Sequence, residues 1–260
     1  ASLFGAKCHM TCIVSDDEHG RFYIKDLASN NVNHTNEPIR SDISSGRCLV
    51  MVSDDAERTM CTNLGISSEF WTSDLDEKII KASQYLFLEG YLVASPKGME
   101  VCKKAINTAK ESDTKVSISL SDPNIVKAFK NEIKTLLDMK CDLIFCNEEE
   151  ALAYAETDNI LDAVQMFKEI SPNFLITQGS SGCLGFDGKN EFNIPGIKVN
   201  AIDSNGAGDM FAGAVLYCIS SGSSLEMGAT FGCYAASKVV GNVGPRLIKG
   251  EYSKIKKNFF

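Results

Sequence analysis

The sequence predicts an α/β fold, a mostly parallel central sheet with helices on both faces plus a small β appendage, and three observations carry that expectation. From residue 75 onward, short apolar strand-like runs alternate with amphipathic helical stretches, the pattern of βαβ units. Upstream, RCLVMVSDDAERTMCTNL places a DDAE turn between two β-type runs, as a hairpin does. Hydrophobic residues make up 44% and charged residues 23% of the chain, ordinary for a globular protein with a sizeable core.

Taken in order, ASLFGAKCHMTCIV reads as the tail of a helix running into a strand. With no initiator Met ahead of it, a preceding amino-terminal piece is expected. SDDEHGRFYIKDLASNN puts acids first and then Phe22, Ile24 and Leu27 at helical spacing, so a helix closes near Asn30. Residues 32–64 form the appended small sheet, leaving 1–31 and 65–260 as one main domain. Within it DLDEKIIKAS, SPKGMEVCKKAINTAKES, DPNIVKAFKNEIKTLLDMK, EEEALAYAE and DNILDAVQMFKEI read as helices. QYLFLEGYL, TKVSISLS, CDLIFCN, NFLITQG, GCLGFDG and IKVNAID read as strands, and two final helices start at Gly206 and Ser224. In such folds ligands bind at the carboxyl ends of the strands.

A formal net charge of −8 argues against nucleic-acid or anionic-membrane partners, which need clustered Lys and Arg, and favours a small-molecule ligand. No apolar run approaches the roughly 18 residues of a membrane span. The 10 cysteines show no CxxC pair, and Cys48, Cys146 and Cys218 sit in apolar runs, where a thiol behaves as a small hydrophobe. Reduced core thiols in a cytoplasmic protein are expected. His9, His19 and His34 stand alone in their segments and suggest neither a metal site nor a histidine base.

The most pointed stretch is residues 201–217, AIDSNGAGDMFAGAVLY. Glycine costs roughly 1 kcal/mol against alanine inside a helix, so Gly206 and Gly208 at a helix start need a reason. If VNAID ends a strand, the turn lies at a helix amino end, where the first N–H groups lack helical partners and the macrodipole is positive. Amides of Gly206, Ala207 and Gly208 then make an anion hole suited to a phosphoryl group. Asp209 can accept a proton from an attacking hydroxyl or can simply be a favourable first-turn acid. The turn matches neither a Walker A loop nor a Rossmann fingerprint.

DSNGAGDMFAGA resembles the D-T-x-G-A-G-D-x-F signature of the ribokinase-like, or PfkB, sugar and nucleoside kinases, with Ser204 where Thr is usual. Three further segments follow in family order. CNEEEALAY resembles the N-x-x-E motif, which implies Asn147 and Glu150 near Mg²⁺ and its waters. A solvated helix start is the alternative, better suited to Glu148 and Glu149. LITQGSSGCLGF resembles the nucleotide-holding strand-turn-strand, implying Thr177, Gly179 and Gly182, although as bare sequence it is a hairpin turn. ATFGCYAASKVVGNVGP resembles the helix and loop along the adenine, implying Ala236, Asn242 and Gly244, with an ordinary core helix as the alternative.

The resemblance covers residues 1–247 and implies a ribokinase-like fold with residues 32–64 as part of a β lid. It makes Asp209 the catalytic base, residues 206–208 the anion hole, and Asp203 a neighbour of a monovalent cation such as K⁺. Arg58 would reach the closed site, or else pair with Asp54 or Asp55 on the surface. The implied reaction is ATP- and Mg²⁺-dependent transfer of a γ-phosphate to a primary hydroxyl. EGYL, ISLSDP and DSNGAGD look most like the bacterial adenosine-kinase-like branch, so adenosine comes first and a sugar such as ribose or fructose second. A non-catalytic nucleotide-binding relative comes third. The family's amino-terminal strand, early substrate-binding acid and Gly-Gly motif would precede ASLFGAKC. The apolar strand RCLVMV offers an edge for a homodimer through the lid.

Overall fold

The structure, a computed structural model, describes residues 1–53, 58–139 and 141–260. They divide into two compact units, Ala1–Phe70 with Ile197–Phe260, and Trp71–Gly196. In the first, a 3₁₀ turn at Ser2–Phe4 leads into β1 (Cys8–Met10), α1 (Glu18–Ser29) and β2 (Val32–His34). β1 and β2 pair in parallel, which a crossover helix such as α1 permits. Val32–His34 thus belongs with β1. The hairpin is confined to β3 (Arg47–Val52) and β4 (Arg58–Asn63), antiparallel with Arg47 opposite Asn63.

In chain order the second unit holds α2 (Glu77–Ala82), β5 (Tyr85–Glu89), α3 (Pro96–Lys110), β6 (Lys115–Ser119), α4 (Pro123–Ala128) and α5 (Lys130–Asp138). There follow β7 (Leu143–Asn147), α6 (Glu148–Ala155), α7 (Ile160–Ile170), β8 (Phe174–Thr177), β9 (Gly182–Phe186) and β10 (Glu191–Pro195). The sheet runs β10-β9-β8-β7-β6-β5. β5 to β8 are parallel, and β9 and β10 are antiparallel additions. Asp76, Ser95, Asp122, Asn147 and Asn159 each accept a first-turn amide and start a helix.

The register aligns Leu88, Ile118, Ile144, Phe174 and Phe186 in one row across five strands. Helices α3 to α7 bury their apolar stripes against this face, with Phe174 flanked by Phe167 at 5.6 Å and Phe186 at 5.8 Å between ring centroids. Ser117, Leu175 and Cys183, pointing the other way, are also 0% exposed. Burial on both faces is why β7 and β8 read as continuous apolar runs, whereas β6 alternates and buries Ser117 with its hydroxyl donating to Leu86 O.

Two expected elements differ. DPNIVKAFKNEIKTLLDMK is two helices, broken at Phe129 (φ −126°, ψ 34°), whose ring packs on the core. IKVNAID forms no strand; the strand is EFNIP, paired with β9 and ending at Pro195. The apolar alternation of IKVNAID is real, but Ile197, Val199 and Ile202 are exposed, and the amides of Ile202 and Asp203 both donate to the Val240 carbonyl.

The first unit resumes with α8 (Ala207–Ser220), α9 (Leu225–Val239) and α10 (Lys249–Phe259). The last was not anticipated, since KGEYSKIKKNF is polar apart from Tyr252, Ile255 and Phe259. That spacing puts all three on one helical face, and they join Phe4 and Phe231 in a core of their own. All ten cysteines are thiols, five of them buried. Burial pushes Cys102 and Cys141 up to about 12, so these are inert packing groups. Cys48, expected in a core, is exposed on β3.

Phe174→Ala should cost about 3–5 kcal/mol through the cavity it leaves, whereas Phe22→Ala, at a side chain 67% exposed, should stay within about 0.5 kcal/mol. Urea unfolding of both variants checks this; similar costs would mean that the Phe174 row is not the core.

Candidate active site

The DSNGAGD turn is built around one buried charge. Asp203 is 3% exposed, and its Oδ1 accepts from the Asn205 amide at 2.9 Å while Oδ2 accepts from the Gly244 amide at 2.8 Å. Gly206 adopts φ 76°, and a Cβ there would lie 2.4 Å from the Pro245 carbonyl oxygen, so only glycine fits. Asn242 closes α9, donating its amide to Val239 O at 2.9 Å and its Nδ2 to Lys238 O at 2.8 Å. The turn before α8 and the loop after α9 are therefore one body, containing Asp203, Gly206, Asn242 and Gly244. The half-buried Ala236 lies one turn earlier on α9.

Gly206 is the N-cap of α8, and the Met210 amide makes the first helical bond, to Gly206 O at 2.9 Å. Ala207 N–H, expected to face an anion, turns back to Ser204 O at 3.3 Å. The amides at the second and third helical positions, Gly208 and Asp209, lie ahead of the helical ladder. A Cβ on Gly208 would meet nothing within 4 Å, and Asp209 is exposed. An open helix amino end with a carboxylate in its first turn can hold an anion and take up a proton. The extended segment leading into the turn is fixed by Val240 O, not by a strand ladder.

In the other unit, Asn147 and Thr177 are register partners at the carboxyl ends of parallel β7 and β8. Asn147 also begins α6 through a reciprocal capping box. Its Oδ1 accepts from the Glu150 amide at 2.8 Å. Glu150, 5% exposed, accepts from the Asn147 amide at 3.0 Å and from Asn147 Nδ2 at 2.8 Å. Glu148 takes the different place of a partner to Gln178 Nε2 at 3.2 Å. Thr177 Oγ1 donates to Cys146 O at 3.5 Å. In the loop that follows, Gly179 (φ 53°) has open space beside it, while a Cβ on Gly182 would lie 2.0 Å from Ile194 O. Gly182 thus serves the β9–β10 pairing, and Gly179 faces outward. Arg58 opens β4, but its side chain lies outside the described residues, as do Asp54 and Asp55.

Sequence reasoning passed over Ser121. It has φ 71°, unusual for a residue with a Cβ, at the carboxyl ends of β5 and β6. Its hydroxyl accepts from the Gly90 amide at 2.8 Å and donates to Glu89 Oε2 at 3.1 Å. The SDP turn was the available signal, but its left-handed conformation comes from pairing with Glu89 and Gly90, far away in sequence. Among the described residues no three His, Cys, Asp or Glu side chains cluster as a metal site. A cavity of about 510 Å³ beside Val93, Pro96, Met99 and Phe129 shares no lining residue with the groups above.

A family model described as pfkB family carbohydrate kinase matches residues 1–249. Adenosine kinase of Schizosaccharomyces pombe is 27% identical over 219 residues, which span 75% of this chain and 63% of that protein. An adenosine kinase structure from Sinorhizobium meliloti superposes with a TM-score of 0.95 at 25% identity, covering 99% of this chain and 79% of that one. A probable sugar kinase structure from Rhizobium etli gives 0.94 at 26% identity, covering 100% and 79%. The chain thus spans less than two thirds of the length of its yeast relative, and both structures share the ribokinase-like arrangement of its fold.

Asp203→Ala should destabilise the protein by about 2–3 kcal/mol, because two amides lose a charged acceptor and one of them is tied to a distant loop; Asp203→Asn, keeping one acceptor, should cost less. Gly206→Ala should be comparably damaging and Gly208→Ala harmless to folding. Thermal denaturation of the four variants decides, and equal effects of the two glycine changes would contradict the geometry.

Proposed function

The chain belongs to the PfkB carbohydrate kinase family, and from that premise we propose that it transfers the γ-phosphate of ATP to a primary hydroxyl of a nucleoside, adenosine first. The observation that carries the reading is the open amino end of α8: exposed Asp209 beside the Gly208 amide, with free space over the glycine. These residues suit a nucleotide's phosphates, since the Gly208 and Asp209 amides lie ahead of the helical ladder and Gly208 carries no side chain beside its own amide. Mg²⁺, when bound, neutralises phosphate charge and keeps most of its water.

In this reading Asp209 accepts the proton of the acceptor hydroxyl as its oxygen attacks phosphorus, and the proton rests on the carboxylate. The Gly208 and Asp209 amides, with Gly206 setting the turn, meet the charge that develops on the transferred group. Asn147 and Glu150 are assigned to the waters of Mg²⁺. Their capping box holds both side chains rigid, which suits water-mediated contact better than direct ligation. Thr177, Gly179 and Gly182 are assigned to the nucleotide's phosphate side, and Ala236, Asn242 and Gly244 to its base. Asp203 spends both oxygens on amides, so its role toward a monovalent cation such as K⁺ is to order the loops whose carbonyls would bind it.

The β3–β4 hairpin with its flanks, the expected 32–64 without Val32–His34, is read as part of a lid that shields the acceptor from water, and Arg58 as its contribution to the acceptor. Exposed Leu49, Met51 and Met60 suit pairing with a second copy. Ten thiols suit the reducing cytoplasm, and no described helix is long and apolar enough to cross a membrane. A sugar acceptor is the second reading, favoured by the Rhizobium relative.

Asp209→Asn should lower turnover about 10³-fold, within the usual share of a general base, with ATP affinity within about threefold of wild type. ADP release with adenosine, ribose and fructose tested separately, alongside calorimetric ATP binding, checks this; near-normal turnover in the variant would remove Asp209 from the base role.

A further inference from the structure

A second polar cluster, half-buried Asp17 with buried Ser15 and Ser45, lies in the first unit at the base of the hairpin, and none of the assigned roles uses it. Asp17 is the N-cap of α1, its Oδ1 accepting from the Gly20 amide at 2.7 Å. The same carboxylate reaches across 28 residues to Ser45: Oδ2 accepts the Ser45 amide at 2.8 Å, and Oδ1 the Ser45 hydroxyl at 2.8 Å. Ser45 Oγ in turn accepts the Ser15 amide at 3.0 Å, and the Ser15 hydroxyl donates to Ile43 O. Ser15 and Ser45 are 2% and 3% exposed.

Both strands of the hairpin leave from this cluster. β3 begins two residues after Ser45. After β4 the chain returns to the same place, where the Ile66 amide donates to Ser44 O at 2.8 Å. Gly65, at φ 50°, comes so close that a Cβ would lie 2.2 Å from that same carbonyl oxygen. Among the described residues the strands bury few apolar side chains, since Leu49, Met51, Val52 and Met60 are all exposed. An isolated two-stranded hairpin is marginal in water, so its direction is set where it is rooted.

We propose that Asp17 is a positioning residue, whose carboxylate fastens the root of the β3–β4 hairpin to the first turn of α1 and so fixes where the hairpin stands when an acceptor binds. The last clause rests on reading the hairpin as the acceptor's lid; the anchor itself does not. Hydrogen bonds from the Ser45 amide, the Gly20 amide and the Ser45 hydroxyl also hold the Asp17 carboxyl down at about 2, consistent with a carboxylate engaged on both oxygens.

Asp17→Asn separates anchoring from capping. Asn is as good an N-cap as Asp, so one oxygen still accepts from Gly20, but the amide NH₂ meets the Ser45 amide donor to donor. Ser45→Ala removes the hydroxyl bonds and leaves the cap intact. In both variants, hydrogen exchange of the amide at position 45, of Ile66 and of the hairpin strands should speed up about tenfold, the equivalent of roughly 1.4 kcal/mol, while α1 and the β5–β8 sheet keep their protection. Unchanged exchange at the root, or equal loosening of α1, overturns the anchor. In the kinetic arm, KM for adenosine should rise about tenfold with KM for ATP within twofold; a loosened hairpin with an unchanged acceptor KM overturns the positioning role. Wild-type protein that phosphorylates no acceptor counts against the kinase reading, and the exchange result still decides the anchor.

Discussion

A carboxylate that is 3% exposed must be given donors, because an unpaired buried charge is among the costliest groups a fold can contain. For Asp203 the donors are two backbone amides, one in its own turn and one 41 residues further on, at Gly244. Once that carboxylate is satisfied, Pro245 lies against Gly206, Val240 O receives the two amides entering the turn, and α8 must start where it does. The open amino end of α8 is thus a product of packing beneath it. Its amides are aimed before any ligand arrives, which is what an electrostatic site requires if it is not to reorganise during a reaction.

The same economy holds in the other unit. The four parallel strands end on polar residues, Glu89 and Ser119 in one row and, two residues further along, Asn147 and Thr177 in the next, where the buried run of the sheet stops. Three of the four are tied down by their neighbours: Asn147 by Glu150, Glu89 by Ser121, and Thr177 by the carbonyl of Cys146. Rigid side chains at the carboxyl edge of a parallel sheet are the usual equipment of an α/β ligand site. The apolar row from Leu88 to Phe186 keeps the strands in register, and with them the spacing of those end groups.

Much of this was legible in the sequence, for reasons that differ by element. Helix α1 was readable because acids precede Ile24 and Leu27, which share a face, although Phe22, counted with them, turns out to be exposed; strands β7 and β8 were readable because burial on both sides makes them continuously apolar. Residues 197–203 misled, since IKVN alternates like a strand while the amides of Ile202 and Asp203 are claimed by the Val240 carbonyl after α9. Helix α10 escaped because three apolar side chains in a Lys-rich stretch gain meaning only against Phe4 and Phe231. In the site, the glycines and Asp209 were visible as exceptions to helix propensity. The two uses of Asp203, the return of Ala207 N–H to Ser204 and the left-handed Ser121 were not, because each depends on a partner that local pattern does not reveal.

The central claim is that the residues around Asp209 serve transfer of phosphate to a hydroxyl and not merely nucleotide capture. Phosphorus NMR of the purified protein with ATP, Mg²⁺ and adenosine tests it most directly, because it follows the transferred group itself. The account predicts that ADP and a nucleoside 5′-monoester resonance grow together in equal amounts. ADP accompanied only by inorganic phosphate, or an unchanged ATP spectrum from protein that binds ATP, would contradict it.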